Sequence, residues 1–315
     1  MSTLNVSAAP HINSGATTHN VMRDVCIALL PACVAAVVFF GLKALLIMAV
    51  CVASAVGAEF LFNLALKQKQ TVYDFSAVVT GLILALNLST NVPVWQCIVG
   101  SVFAIVVVKC LFGGLGKNIV NPAIAARVFM LLAFTAVAGG AIPSGVKVPE
   151  LYAGATPLVE LQNGNYNLVS LLLGNHGGTI GETCAIALLL GYAYLVWRGI
   201  IKWYVPFAFV ATVFGLYFIT TGNIGLSLAH VLAGGLLFGA IFMATDYVTT
   251  PLSNKGKVVF CIGCGVITFA IRSLTIGGAS FNAYPEGVSI SILFMNLLTP
   301  LIEKWTNPKT LGGVK

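Results

Sequence analysis

Residues 42–66 read LKALLIMAVCVASAVGAEFLFNLAL, and this stretch decides the fold. It contains two charged side chains, Lys43 near its start and Glu59. A helix of about 20 apolar residues is long enough to cross the hydrocarbon core of a bilayer. Because the stretch exceeds that length, it predicts a membrane-spanning helix.

The rest of the chain has the same character. Its 315 residues are 58% hydrophobic and 8% charged, whereas an ordinary soluble domain has about 25% charged residues. The composition therefore predicts an all-α polytopic membrane protein. Ten spanning helices are predicted at 25–40, 42–66, 74–90, 94–112, 122–139, 179–198, 201–221, 225–246, 257–275 and 286–303.

The two halves of the chain carry related motifs. Residues 80–93 parallel residues 238–251, and Gly113-Gly114 parallels Gly277-Gly278. Each half holds five predicted crossings, an odd number, so the second copy must be inverted relative to the first. Inverted repeats place a site near the membrane midplane, lined by broken helices, and the spans at 74–90 and 225–246 have the polar or glycine interruptions of such helices.

The repeat and the loops give five predicted regions. They are a cytoplasmic N-terminal segment (1–24), a first five-helix repeat (25–139), an extracytoplasmic loop (140–178), a second five-helix repeat (179–303) and a cytoplasmic tail (304–315).

The basic residues predict the orientation. Of the sixteen Lys and Arg residues, twelve, including Lys109, fall on the side shared by the termini, and three, including Arg272, fall on the other. Arg127 lies inside a span. The positive-inside rule then predicts cytoplasmic termini, in a multi-pass protein of the bacterial plasma membrane. The net charge of +7 reflects this topology, because no basic cluster with interleaved aromatics points to nucleic acid.

A short polar loop at residues 153–158 reads AGATPL and has specific chemistry. Thr156 supplies a hydroxyl that a phosphate can esterify, and Gly154 and Ala155 leave the backbone open to a modifying enzyme. Pro157 keeps the site out of a helix. The loop is interpreted as a covalent flavin attachment site, with a plain turn as the alternative.

Four stretches together resemble the family of D-type subunits of Rnf ferredoxin:NAD oxidoreductase complexes, which is homologous to the B-type subunits of the sodium-pumping NADH:quinone oxidoreductase. They are residues 10–15, 113–123, 154–157 and 244–246, in the order seen in that family. The resemblance covers nearly the whole chain.

This resemblance implies two flavins: FMN joined to Thr156 by a phosphoester bond, and a noncovalent riboflavin. Two residues depart from the family pattern, since Ala153 stands where Ser or Thr is frequent and Glu150 where Asp is common. Residues 14–17 imitate the attachment motif more literally, but position 11 is His rather than an acid. The charge distribution also predicts that residues 14–17 lie on the cytoplasmic side of the membrane. Thr156 is therefore favoured over Thr17.

Asn118 and Asn121 match the family's riboflavin-binding asparagines. Carboxamides both donate and accept hydrogen bonds, which suits the edge of an isoalloxazine ring. For Asn121 the alternative is a helix cap, since Pro122 follows it. The turn that carries both residues is expected on the cytoplasmic face, opposite Thr156, so that two flavins could carry electrons across the membrane.

Ionisable groups at membrane depth tend to mark ion paths. Glu59 is the deepest carboxylate, and its alternatives are to reach the interface or to pair with a neighbour. Asp246 lies beside Thr249 and Thr250 in an oxygen-rich cluster of the kind that a hard cation favours. These four residues are candidates for a cation path, and Arg127 is a candidate to anchor a flavin ring, a carboxylate or a carbonyl.

All eight cysteines lie in or beside apolar spans and are interpreted as structural thiols. Cys261 and Cys264 have the spacing of a metal pair, but a zinc or iron–sulfur site needs further ligands that no neighbouring residue supplies. No metal site is predicted.

The favoured hypothesis is a membrane flavoprotein, one part of a translocase that couples ferredoxin:NAD oxidoreduction to Na+ or proton transport, with no complete active site of its own. The resemblance implies as partners a G-type flavoprotein, A- and E-type iron–sulfur membrane proteins and a C-type NAD-linked protein of the same Rnf complex, together with a flavin transferase. The alternatives are a passive channel for a small neutral solute or ammonium, and a scaffold that holds redox partners in the membrane.

Overall fold

The computed structural model describes residues 17–134, 161, 167–174, 176–273, 275–276, 279–280 and 287–306. These residues are mostly helical. The helices are α1 (Thr18–Phe40), α2 (Leu42–Ala65), α3 (Ser76–Leu86), α4 (Val94–Val102), α5 (Pro122–Ala133), α6 (Leu168–Leu173), α7 (Ala185–Trp197), α8 (Tyr204–Thr221), α9 (Ile224–Leu232), α10 (Leu236–Phe238), α11 (Asn254–Ser273) and α12 (Val288–Thr306).

Three further helical turns and one hairpin complete the described elements. A 3₁₀ turn, Val72–Asp74, precedes α3, and π-helical turns extend α4 (Phe103–Cys110) and α10 (Gly239–Met243). Two-residue strands, β1 (Thr275–Ile276) and β2 (Ala279–Ser280), pair antiparallel.

Five described helices, α1, α2, α8, α11 and α12, are long and apolar enough to cross a membrane. The α9 and α10 segments form a bent pair that passes the same test together. Four shorter apolar helices, α3, α4 with its π extension, α5 and α7, lie at the remaining predicted spans. The helices therefore support a polytopic membrane protein, and the count of ten crossings stays a prediction.

Both predicted helix interruptions are present. Helix α3 ends at Leu86, before the turn at 87–91. The α9 and α10 axes differ by 66° across residues 233–235, where Gly234 has a φ of +70° that few other residues adopt. These breaks place helix ends inside the bundle.

Several predicted boundaries were wrong. Helix α1 begins at Thr18 rather than 25, because the Thr17 hydroxyl accepts the Asn20 N–H (3.3 Å) and caps it. The predicted N-terminal segment therefore includes the first seven residues of this helix, and its place relative to the membrane stays a prediction. At the other end, α12 extends to Thr306, into the predicted tail.

The sixth predicted span also starts late. Helix α7 begins at Ala185 rather than 179, because the preceding residues serve another helix. The Ile180 and Gly181 N–H groups donate to the carbonyls of Leu88 (2.9 Å) and Leu86 (2.7 Å). They thereby satisfy carbonyls at the end of α3, which a helix leaves unpaired.

Helices from the two halves of the chain pack against each other. Helix α1 lies along α7, and α5 lies along α12. One apolar core runs through both halves, with Leu29, Phe209, Phe238 and Phe260 among its buried members. The candidate site lies where these halves meet.

Candidate flavin cavity and buried ion pair

A cavity opens between the two halves, with an empty volume of about 810 Å³ including its mouth. Its walls come from α1, α3, the π extensions of α4 and α10, the start of α5 and the end of α7. Most of the lining is apolar, as is usual for a cofactor pocket. The polar side chains in it are Ser76, Thr80, Lys109, Asn118, Asn121, Thr245, Asp246 and Tyr247.

A glycine-rich turn between α4 and α5 brings the two asparagines to this cavity. Gly113, Gly114 and Gly116 have φ values of +104°, +90° and +89°, a region that residues with a Cβ rarely enter. These reversals return the chain directly from α4 into α5, so that Asn118 and Asn121 lie in the cavity wall.

Asn118 is buried and only partly satisfied by the protein. Its Nδ2 group donates to the Val120 carbonyl (3.1 Å), whereas its Oδ1 atom is buried without a hydrogen-bond partner among the described residues. Leaving a buried acceptor unpaired costs about 1–3 kcal/mol. An acceptor held in this way in a cavity wall fits a ligand that presents an N–H group.

Asn121 has the capping role that was its alternative interpretation. Its Oδ1 atom accepts the N–H groups of Ala123 (3.0 Å) and Ile124 (3.4 Å) at the start of α5. The Nδ2 group takes no part in this cap, and Asn121 also lines the cavity. The two asparagines thus bring one unpaired acceptor and one amide group outside the cap to the residues that line the cavity.

Asp246 also lines this cavity. Its carboxylate accepts the Val248 N–H (3.2 Å) and the Thr249 hydroxyl (3.0 Å), and its carbonyl accepts the Thr250 hydroxyl (2.7 Å). The predicted oxygen-rich cluster is therefore present as a closed turn. Both carboxylate oxygens already accept a hydrogen bond, so a cation would have to share them.

Tyr247 also lines the cavity, and the pKa of its hydroxyl reflects the surrounding charges. Burial raises the pKa of its hydroxyl, and the negative charges of Asp246 and Asp74 raise it further. Tyr247 therefore lies close enough to both carboxylates for its pKa to respond to their charges.

Glu59 and Lys109 form a buried ion pair. The Lys109 Nζ lies 2.8 Å from Glu59 Oε1, and the side chains are 2% and 1% exposed. Of the alternatives for Glu59, pairing with a neighbour is therefore the one observed. Lys109, which the charge count assigned to the side shared by the termini, lies in the π extension of α4 and is buried against Glu59.

The ion pair belongs to a chain of hydrogen bonds. Lys109 Nζ also donates to Ser76 Oγ (2.6 Å), and the Ser76 hydroxyl donates to Asp74. On the other side, the hydroxyl of the exposed Thr71 donates to Glu59 Oε1 (2.5 Å). Since Ser76 and Lys109 also line the cavity, the network connects the cavity wall with the surface at residue 71.

Arg272 is a second basic residue of the charge count that lies inside the protein. It is buried at the end of α11 and donates to the carbonyls of His230 (2.9 Å) and Ala233 (3.4 Å), at the end of α9. A cation there complements the negative end of that half-helix. Removing Lys109 and Arg272 from the count leaves eleven basic residues against two, so the predicted orientation keeps its basis.

The remaining predicted site residues lie elsewhere. Arg127 is fully buried in α5 and is not among the residues that line the cavity; its cofactor role stays a prediction. Thr156, Gly154 and Ala155 fall outside the described residues, so the attachment site also stays a prediction.

Sequence reasoning missed Lys109, Ser76 and Asp74. A signal was present in the sequence. Glu59 and Lys109 carry opposite charges, and each lies near the end of its span, 42–66 or 94–112, that is predicted on the side of the termini. Charges at membrane depth tend to pair, and that rule would have joined them.

Comparison with known proteins places the chain in one family. A sequence model of the NQR2, RnfD, RnfE family matches residues 5–312. The chain is 43% identical over 320 residues to the D-type subunit of the Na(+)-translocating ferredoxin:NAD(+) oxidoreductase complex of Acetobacterium woodii, covering 99% of this chain and 96% of the relative.

Two further relatives cover the chain equally well. The D-type subunit of the proton-translocating ferredoxin:NAD(+) oxidoreductase complex of Clostridium ljungdahlii is 35% identical, over 98% of this chain and 96% of the relative. The D-type subunit of the ion-translocating oxidoreductase complex of Methanosarcina acetivorans is 32% identical, over 100% of this chain and 99% of the relative.

Proposed function

Because the chain belongs to the NQR2, RnfD, RnfE family, we propose that it is the D-type membrane subunit of a complex that couples ferredoxin:NAD+ oxidoreduction to ion translocation. Curated relatives that match it over nearly their full length are named as this subunit. The chain then functions as one subunit of a complex, and it need not contain a complete active site of its own.

Within that complex the chain acts as a flavin carrier. The observation that carries this proposal is the unpaired Oδ1 atom of Asn118, buried in the wall of a largely apolar cavity. A riboflavin ring presents a matching N–H group, and Asn121 Nδ2 can donate to the neighbouring ring carbonyl.

A second flavin completes the proposed electron path. FMN is joined through its phosphate to Thr156, and Gly154 and Ala155 leave the backbone accessible to the transferase that attaches it. When bound, these flavins supply one-electron chemistry. The G-type flavoprotein and the iron–sulfur membrane proteins of the complex are the proposed donors and acceptors on either side, and the C-type protein links the path to NAD.

Translocation depends on oxygen-bearing groups beside the cavity. Asp246, with Thr249 and Thr250, and Glu59 are the proposed cation-path residues. The relatives are named for Na+ in one case and for protons in another, and carboxylates can serve either cation. A negative charge added to the cavity attracts a cation toward them.

The flavin proposal is tested by extracting noncovalent flavin from the purified complex. Wild type should release riboflavin, and Asn118→Ala should release markedly less. Asn87→Ala is a matched control: Asn87 is equally buried, donates to the Ile83 carbonyl (2.7 Å) and does not line the cavity. Full riboflavin occupancy in Asn118→Ala would reject the site, and a flavin-free wild type would favour the channel or scaffold.

A further inference from the structure

Lys109 is the only cation among the described residues that line the cavity. Its side chain is 2% exposed, so water screens its charge poorly. It projects from a π-helical turn, an irregularity that is frequent at functional sites. Because this side chain is buried and paired with Glu59, Lys109 is not an ordinary surface lysine.

Glu59 depends on this lysine. Its Oε1 atom accepts both from Lys109 (2.8 Å) and from Thr71 (2.5 Å), whereas its Oε2 atom is buried without a hydrogen-bond partner among the described residues. A buried carboxylate that loses its cation is strongly destabilised unless another cation replaces it. The unpaired Oε2 atom is where a replacement could bind.

We propose that Lys109 is a shared counter-ion: its ammonium group compensates negative charge that arrives in the cavity, and Glu59 then takes up a cation from the cytoplasmic side through Thr71. The proposal rests on the proposed function, because the arriving charge is that of an electron on a bound flavin. It assigns the coupling step to one ion pair.

The charges balance in this step. One electron enters the cavity from the partner redox protein, and one Na+ or proton binds the Glu59 carboxylate. Lys109 stays protonated throughout. Its ammonium group first compensates the negative charge of Glu59 and then that of the electron in the cavity. The exchange reverses when the electron leaves.

Thr71 offers the cation a route from the surface to Glu59. Thr71 is exposed, and its hydroxyl donates to Glu59 Oε1. The Asn63 amide donates to that hydroxyl (3.1 Å). The titratable groups facing the pair are Asp74, which accepts from Ser76, and the Cys110 thiol. Asp246 and Tyr247 also line the cavity.

The test is a redox titration of the purified complex that follows the flavin absorbance component missing from Asn118→Ala. Its midpoint potential is measured against Na+ concentration at fixed pH, and against pH at fixed Na+. The variants are Glu59→Gln, Lys109→Arg and the double variant Lys109→Met/Glu59→Gln, which removes both charges and leaves neither buried alone. Lys255→Met is the matched control, because Lys255 is exposed at the start of α11.

Wild type should show a potential that rises with cation concentration, and Glu59→Gln should remove at least part of that rise while shifting the potential upward. The double variant should have a more negative potential than wild type and the same loss of cation dependence. Lys109→Arg should stay close to wild type, and Lys255→Met should be unchanged.

A double variant with the potential and cation dependence of wild type would overturn this inference and leave the flavin proposal standing. A complex in which wild type lacks the Asn118-dependent component would overturn the proposed function and this inference with it. A purely structural role for the pair would lower stability without moving the potential, which also contradicts the inference.

Discussion

The Met130 side chain on α5 occupies the space where Gly100 on α4 would carry a Cβ atom. In the second half of the chain, Met295 on α12 contacts Gly263 on α11 in the same way. The glycines are separated by 163 positions and the methionines by 165. Because the same contact recurs at nearly the offset of the sequence motifs, the packing supports the predicted repeat.

This contact predicts that Gly100→Ala and Gly263→Ala each destabilise the protein. The added methyl group must displace a methionine from a packed position, and overpacking typically costs about 1–3 kcal/mol. Thermal unfolding in detergent measures the effect. Gly57→Ala is the control, because a Cβ there meets nothing within 4 Å, and it should be neutral or stabilising. Equal stability of all three variants would show that the contact is loose.

The buried ion pair predicts a second pattern of stabilities. Lys109→Met leaves Glu59 charged and unpaired in the interior, which should cost about 3–5 kcal/mol. Adding Glu59→Gln removes the uncompensated charge, so the double variant should recover most of that loss. The same unfolding measurement applies. Additive losses in the double variant would mean that the two side chains do not stabilise each other.

Two substitutions of Asn121 should separate its capping role from its proposed role in binding riboflavin. Asn121→Ala removes the cap of α5, at a cost of about 1 kcal/mol, and should also lower riboflavin occupancy. Asn121→Ser keeps a capping oxygen but no amide donor, so stability should be retained while occupancy still falls. Flavin extraction and unfolding are measured on the same samples.

Asn223→Ala provides the control for capping alone. The Asn223 side chain caps α9 in the same way, accepting from Gly225 (2.9 Å) and Leu226 (3.3 Å), and is exposed. It should lose stability and keep riboflavin. If Asn121→Ser retained full occupancy, Asn121 would be a cap only.

The Asp246 turn predicts a variant that keeps the fold and loses the charge. In Asp246→Asn the amide oxygen can still accept the Val248 N–H, so the turn should persist. Cation transport driven by electron flow, measured in vesicles that contain the complex, should fall strongly. Thr249→Ser, which keeps the hydroxyl bonded to Asp246, should transport normally. Unchanged transport in Asp246→Asn would remove this residue from the path.

The sequence predicted those features that depend on continuous composition. Long apolar runs such as 42–66 placed the spanning helices, and glycines placed the break between α9 and α10. The asparagines of the turn before α5 line a cavity, and their role as flavin ligands stays a prediction. Their motif is local, so its geometry follows from the turn that carries it.

The sequence did not predict features that depend on contacts between distant segments. Lys109 lies close to the end of an apolar run, and its partner Glu59 is 50 positions away. The late start of α7 has the same cause, because residues 180–181 bind carbonyls at the end of α3. A rule that treats each span alone cannot register either contact.

The central claim is that this chain is a flavoprotein, and the mass of one peptide tests it most directly. Trypsin releases residues 148–198 as a single peptide, because no Lys or Arg lies between Lys147 and Arg198. In protein purified from its own host, this peptide should carry the mass of FMN less one water, and Thr156→Ala should abolish the addition. An unmodified peptide in the wild-type protein would contradict the account.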